Sequence, residues 1–192
     1  MKDTILVVDD KEVNRYMICE IFRKRYKLLE ATDGLEAIEL LKNNLESISI
    51  VLLDIIMPNL DGFGVLDFMK NNGYLNDIPV VMITSDSSVE TEKKLAAYEV
   101  AEVVRKPFIP AIIDRRVNNI ISLYESKRKS VEKYRKVIDE LNSKIHKIED
   151  KHKLDIDESV YLVKTLYNIM KKKDILDKEL EEDIQDYLAR YN

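Results

Sequence analysis

An intramolecular disulfide is excluded first, because the 192 residues contain a single cysteine, Cys19; tryptophan is absent as well. A lone cysteine fits a reducing compartment. No apolar run approaches the ~20 residues of a membrane span, and the N-terminus lacks the apolar segment of a signal peptide. A cytoplasmic chain with no membrane association is expected. Strong positive charge is missing too. Residues 1–111 hold 13 Lys and Arg against 19 Asp and Glu, a net of −6, while residues 112–192 hold 18 against 17, a net of +1. Neither part is basic enough to suggest a nucleic-acid partner. Glycine and proline are scarce at four each, and neither occurs in the 82 residues after Pro110. That absence favours uninterrupted helix in the second half.

The first half contains short aliphatic runs. They are "ILVV" (5–8), "ISIVLL" (48–53), "IPVVMI" (78–83), "EVVR" (102–105) and a weaker "YKLLEA" (26–31). Between them lie segments of helical period at 12–24, 35–44, 64–71 and 89–98. Alternating buried strands and helices imply right-handed crossovers and a parallel sheet. Residues 1–111 therefore read as a five-stranded, doubly wound α/β domain.

In such folds ligands bind beyond the carboxyl ends of the strands. The residues there are Asp9 and Asp10 after the first strand, Asp54 after the third, Thr84 and Ser85 after the fourth, and Lys106 after the fifth. Two carboxylates ~4 Å apart repel by about 4 kcal/mol at an effective dielectric of ~20, so the Asp9–Asp10 pair needs an offset. Three oxygen donors suit Mg²⁺, which takes few protein ligands and seeks an anionic substrate such as phosphate. Asp54 then becomes a candidate nucleophile toward phosphorus, with Lys106 and Thr84 placed to steady the phosphoryl oxygens.

The stretches "VVDD" (7–10), "LLDIIMPNLDG" (52–62), "MITS" (82–85) and "KPF" (106–108) resemble the receiver domain of two-component response regulators over residues 3–122. The resemblance implies a flavodoxin-like receiver fold and phosphorylation of Asp54 by a histidine kinase. It also implies Mg²⁺ held by Asp9, Asp10, Asp54 and the backbone carbonyl of Ile56. Thr84 would be the switch hydroxyl, Lys106 the contact to the phosphoryl group, and the Lys106–Pro107 peptide cis. Gly62 is expected to supply a positive φ in the loop after Asp54. Two departures stand out. Val103 occupies the place of the usual Tyr or Phe three residues before Lys106. The stretch 97–108 also lacks the usual Gly and looks short. The phosphorylation chemistry should survive both, but a relay from Thr84 to an aromatic ring is not expected.

Beyond residue 111, Ile113, Val117, Ile120, Tyr124, Lys127, Val131, Tyr134, Ile138, Leu141, Ile145 and Ile148 follow steps of three and four. This pattern predicts a heptad seam, and hence a dimerising coiled coil over 112–152. From Ile113 to Ile148 the seam covers 36 residues and would span ~54 Å as helix. A long helix packed on its own chain is the competing arrangement. Residues 153–192 predict two further helices forming a hairpin-like region. One buries Ile156, Val160, Val163, Tyr167 and Met170, and the other buries Leu176, Leu180, Ile184, Tyr187 and Tyr191. His146 and His152 lie apart from any ligand cluster.

The expected function is a response regulator that accepts phosphate on Asp54 and relays the signal through a dimeric helical extension. It is not expected to be an enzyme in its own right. Two alternatives are a constitutive dimer scaffold with a silent receiver and a Mg²⁺-dependent aspartyl-phosphate phosphatase. The second is weakened by Ile56, which stands where such hydrolases carry a second Asp.

Overall fold

The computed structural model describes residues 2–149, 156–172, 176 and 178–190, without the side chains of 147–149, 156–158 and 172. The expected apolar positions Ile148, Ile156 and Tyr191, and His152, lie outside the described residues or side chains. Two compact units are present, Met1–Tyr124 and Glu125–Asn192.

In the first unit, strands β1 (Thr4–Val8), β2 (Lys27–Ala31), β3 (Ile48–Leu53), β4 (Val80–Thr84) and β5 (Glu102–Arg105) alternate with helices. The helices are α1 (Glu12–Phe22), α2 (Gly34–Asn44), α3 (Gly62–Asn71) and α4 (Val89–Leu95), and α5 (Pro110–Glu149) follows β5. The sheet order is β2-β1-β3-β4-β5 and every pairing is parallel. The central strands are covered on both faces, which is why they read as continuous aliphatic runs.

Alternate side chains divide between two cores. Ile5, Val7, Ile50, Leu52, Val81, Ile83 and Val104 pack with α1 and the start of α5. Leu6, Val8, Val51, Leu53, Val80 and Met82 pack with α2, α3 and α4. Burying each Ile or Leu contributes about 1.5–3 kcal/mol, so the sheet is the rigid part of the unit.

Local chemistry sets the helix starts. Asp33, Asp61 and Ser88 each accept a backbone N–H of the first turn of α2, α3 and α4. These caps satisfy donors that a helix end leaves open. Pro110 stands at the first position of α5, where its missing N–H costs nothing. Helix α4 ends at Leu95, short of the expected Tyr98. There the chain tightens, as Ala97 N–H and Tyr98 N–H donate to the carbonyls of Lys94 and Leu95. No glycine is needed at that turn, since among the described residues positive φ occurs only at Asn59 (62°) and Gly73 (72°).

Gly62 is thus a correction to the sequence reading. It does not adopt a positive φ. Its constraint is space: a Cβ there would lie 2.4 Å from the Asp54 carbonyl oxygen. The reversal in that loop falls to Asn59, a residue type that tolerates the left-handed region.

The heptad reading of 113–124 also needs correction. Ile113, Val117 and Ile121 are buried in the receiver's own core, one helical turn apart, with Ile120 only partly buried. In the second unit, α6 (Ile156–Lys172) and α7 (Lys178–Arg190) pack together through Val160, Met170, Leu180, Ile184 and Leu188. Tyr134 and Ile138 of α5 join this cluster. Part of the expected inter-chain seam is therefore covered from within the chain.

Candidate functional site

Strands β1 and β3 are neighbours where the strand order reverses, and each ends in a carboxylate. Asp54 N–H donates to the Val8 carbonyl at 2.9 Å, so the ladder extends one step and sets Asp54 beside Asp9. Lys106 arrives from the other side, its N–H donating to the Thr84 carbonyl at 2.9 Å. The peptide that follows, Lys106–Pro107, is cis.

Asp9 is 1% exposed and fully engaged. Its Oδ1 accepts from Lys11 N–H at 2.9 Å and from Asn14 Nδ2 at 3.0 Å. Its Oδ2 accepts from Lys106 Nζ at 2.6 Å. Arg15 fixes the Asp9 carbonyl at 2.9 Å. The Asp54 carboxylate accepts its neighbour Ile55 N–H at 2.7 Å and Lys106 Nζ at 2.5 Å. Lys106 therefore bridges the two buried acids.

Asp10 differs from them. Its side chain is partly exposed, yet Oδ1 is buried without a hydrogen-bond partner among the described residues. The nearest cation is Lys11 Nζ at 3.7 Å. Carboxylate oxygens of Asp9, Asp10 and Asp54 lie within 4.8 Å of one another. A buried acceptor with no donor is costly, and a hard divalent cation with oxygen ligands fits this set.

Burial pushes the Asp54 carboxyl above its usual range, while the Lys106 hydrogen bond and charge oppose that rise. Burial also works against the Lys106 ammonium, but the hydrogen bonds it donates to Asp54 and Asp9, with their charges, outweigh it and hold the proton more tightly than usual. A protonated lysine inside a ring of carboxylates is the electrostatic resting state.

Sequence-expected residues are brought together unequally. Asp9, Asp10, Asp54 and Lys106 form one cluster. Ile56, 61% exposed, lines the same cleft as Asp54. Thr84 is buried at the end of β4, where its Oγ1 accepts from Asp86 N–H at 3.1 Å. The cleft encloses about 1020 Å³ and is walled by Tyr16, Met17 and Ile21 on one side and Pro107, Phe108 and Pro110 on the other. Sequence reasoning passed over Tyr16 and Met17. The signal was present, because they lie off the face of α1 that buries Ile18, Cys19 and Phe22.

The family model "Response regulator receiver domain" matches residues 5–118. The "Probable transcriptional regulator ycf27" of Porphyridium aerugineum is 30% identical over 121 residues, covering 62% of this chain and 48% of that protein. The chain thus spans about half the length of that curated relative. A CheX-CheY-BeF3-Mg+2 complex from Borrelia burgdorferi aligns with a TM-score of 0.56 and 28% identity, over 62% of this chain and 88% of that one. A CheY-like receiver domain protein from Methanospirillum hungatei has a TM-score of 0.59 at 20% identity, over 66% and 98% of the two chains, and supports the fold. With the acidic cluster, the reversing parallel sheet and the matched family model in agreement, the chain belongs to the response regulator receiver family.

Proposed function

We propose that this receiver takes a phosphoryl group onto Asp54 in a Mg²⁺-dependent reaction and passes the signal to its helical C-terminal region. The observation that carries the reading is the pairing of Lys106 with Asp54 and Asp9 beside an Asp10 oxygen that has no hydrogen-bond donor among the described residues. A carboxylate oxygen of Asp54 attacks the phosphorus of an activated donor, a phosphohistidine or an acyl phosphate. The new O–P bond forms as the donor's N–P or O–P bond breaks, and the leaving group keeps the electron pair. Mg²⁺ held by Asp9, Asp10, Asp54 and the Ile56 carbonyl would supply charge neutralisation for the phosphoryl oxygens. Lys106 would leave the carboxylates and follow the negative charge to the phosphoryl group, while Thr84 contributes its hydroxyl. The Borrelia complex, with its BeF3 and Mg+2, supports this reading.

The donor is a histidine kinase. In support, the cleft beside Asp54 is rimmed by exposed apolar residues, among them Tyr16 and Met17, suited to an amphipathic helix carrying a phosphohistidine. Intact-mass measurement after incubation with acetyl phosphate tests the chemistry. One phosphoryl group should be gained with Mg²⁺ present and none after chelation. Gain that is indifferent to chelation would defeat the metal assignment.

The C-terminal unit serves, in this reading, as a homodimer interface. Leu162 and Ile169 of α6 remain 48% and 43% exposed. A small groove beside Leu162 is lined by Ile138, Leu141 and Ile145, which are positions of the heptad pattern. A second copy would cover this face.

A further inference from the structure

With Val103 in place of a ring, β5 has no aromatic group to move toward Thr84. The alternating strand places Arg105 on the same side as Val103, facing α4, while Val104 faces the opposite core. Arg105 is paired with Thr84 across the β4–β5 ladder. Its Nη2 donates to Glu92 of α4 at 2.7 Å, whereas Nη1 is buried with no hydrogen-bond partner among the described residues. A buried unpaired donor is costly to keep, and so marks a group with a second arrangement available.

A carboxylate on which the charge of Arg105 already acts is the candidate for that second partner. Asp86 follows Thr84 by two residues, and its N–H donates to Thr84 Oγ1 at 3.1 Å. Its side chain accepts the Thr91 hydroxyl at 2.5 Å and Ser88 N–H at 2.8 Å. Those bonds hold the Asp86 carboxyl below its usual range, with a smaller contribution from the charge of Arg105. Thr91 is buried in the first half of α4 and Glu92 is its neighbour. The helix is thus gripped at adjacent residues, once from the β4–α4 loop and once from β5.

We propose that Arg105 passes the state of Thr84 to α4 through this two-point clamp, by changing from Glu92 alone to a position shared between Glu92 and Asp86. The proposal rests on the phosphoryl-acceptor reading given above. When a phosphoryl group on Asp54 draws the Thr84 hydroxyl, Asp86 moves with it through the backbone bond. Thr91 is carried along by its hydroxyl, and the idle Nη1 of Arg105 captures the displaced carboxylate. The element then has two discrete hydrogen-bonded states, which is the physical requirement for transmission. Arg105 is a positioning residue in this scheme and touches no reacting atom. A lysine could keep the bond to Glu92 but could not hold both acids in the planar fork.

The test is amide hydrogen exchange of Val89–Leu95 with and without Mg²⁺ and beryllofluoride, with bound fluoride followed in parallel by ¹⁹F NMR. In the unmodified protein the mimic should change exchange in α4 by about two- to thirtyfold, the range of measured couplings. Arg105→Met and Arg105→Lys should bind fluoride as before and lose that response. Arg105→Lys should also restore the resting exchange rate that Arg105→Met raises. Glu92→Gln, at an exposed position that leaves folding intact, should lose the response too. A full response in Arg105→Lys or in Glu92→Gln would overturn the clamp, leaving Arg105 a plain ion pair. Absence of bound fluoride in the unmodified protein would instead overturn the phosphoryl-acceptor reading, and the clamp with it.

Discussion

Lys106 is the internal counter-ion of the acidic centre, and its effect on stability should depend on metal. Lys106→Ala leaves Asp9 and Asp54 buried side by side without their shared cation. Breaking such a pair costs about 3 kcal/mol. Mg²⁺ should recover much of this, so the melting temperature should rise more on adding Mg²⁺ in the variant than in the unmodified protein. Equal rises in thermal melts would mean that Lys106 and the metal do not serve the same charges. Cys19 gives a second check at this scale. Burial, with the nearby Glu30 charge, pushes its thiol up to about 11. At pH 8 only ~10⁻³ of it is thiolate, so iodoacetamide should react about 100-fold more slowly with the folded chain than in denaturant. Rapid alkylation of the folded protein would show that α1 opens.

At the scale of elements, the start of α3 is the tightest point near the site. The Gly62 backbone lies against the Asp54 carbonyl, whereas the atoms nearest to a Cβ at Gly64 belong to the Leu60 side chain. Gly62→Ala should therefore cost about 1–3 kcal/mol by overpacking and disturb Asp54. Gly64→Ala should be nearly neutral, because Leu60 can turn aside and alanine favours helix by about 1 kcal/mol. Denaturant midpoints of the two variants decide this, and equal losses would contradict the close-approach account. The strands were legible because a parallel sheet covered on both faces leaves unbroken runs such as residues 5–8 and 48–53. The three acids and Lys106 were legible because strand ends converge. Why Gly62 is glycine was not legible, since the approach of Asp54 is a tertiary fact. Nor was the role of Arg105, which reads in sequence as an ordinary edge charge and acquires its partners only when β4 and α4 are in place.

Over the whole molecule, a spacing of three and four shows that a helix has an apolar face without saying what covers it. Ile113 and Val117 belong to the receiver core, and Tyr134 and Ile138 pack with α6 and α7. The heptad pattern was thus readable, while its division between two intrachain cores was not. The apolar residues still exposed on α6 support self-association. Light scattering of the full chain at micromolar concentration should report a dimer. Leu162→Asp combined with Ile169→Asp should give a monomer of unchanged helix content by circular dichroism. A monomeric unmodified chain would remove the dimer from the account and leave the C-terminal unit as a surface for another partner.

The central claim is that Asp54 is the group that becomes phosphorylated, and an acyl phosphate can be located chemically. After treatment with acetyl phosphate and Mg²⁺, borohydride reduction converts a phosphorylated aspartate to homoserine, and peptide mass mapping identifies the position. The account predicts homoserine at position 54, absent from Asp54→Asn and from samples treated without Mg²⁺. Homoserine at position 9 or 10 instead, or none anywhere in a chain that has gained the phosphoryl mass, would contradict it.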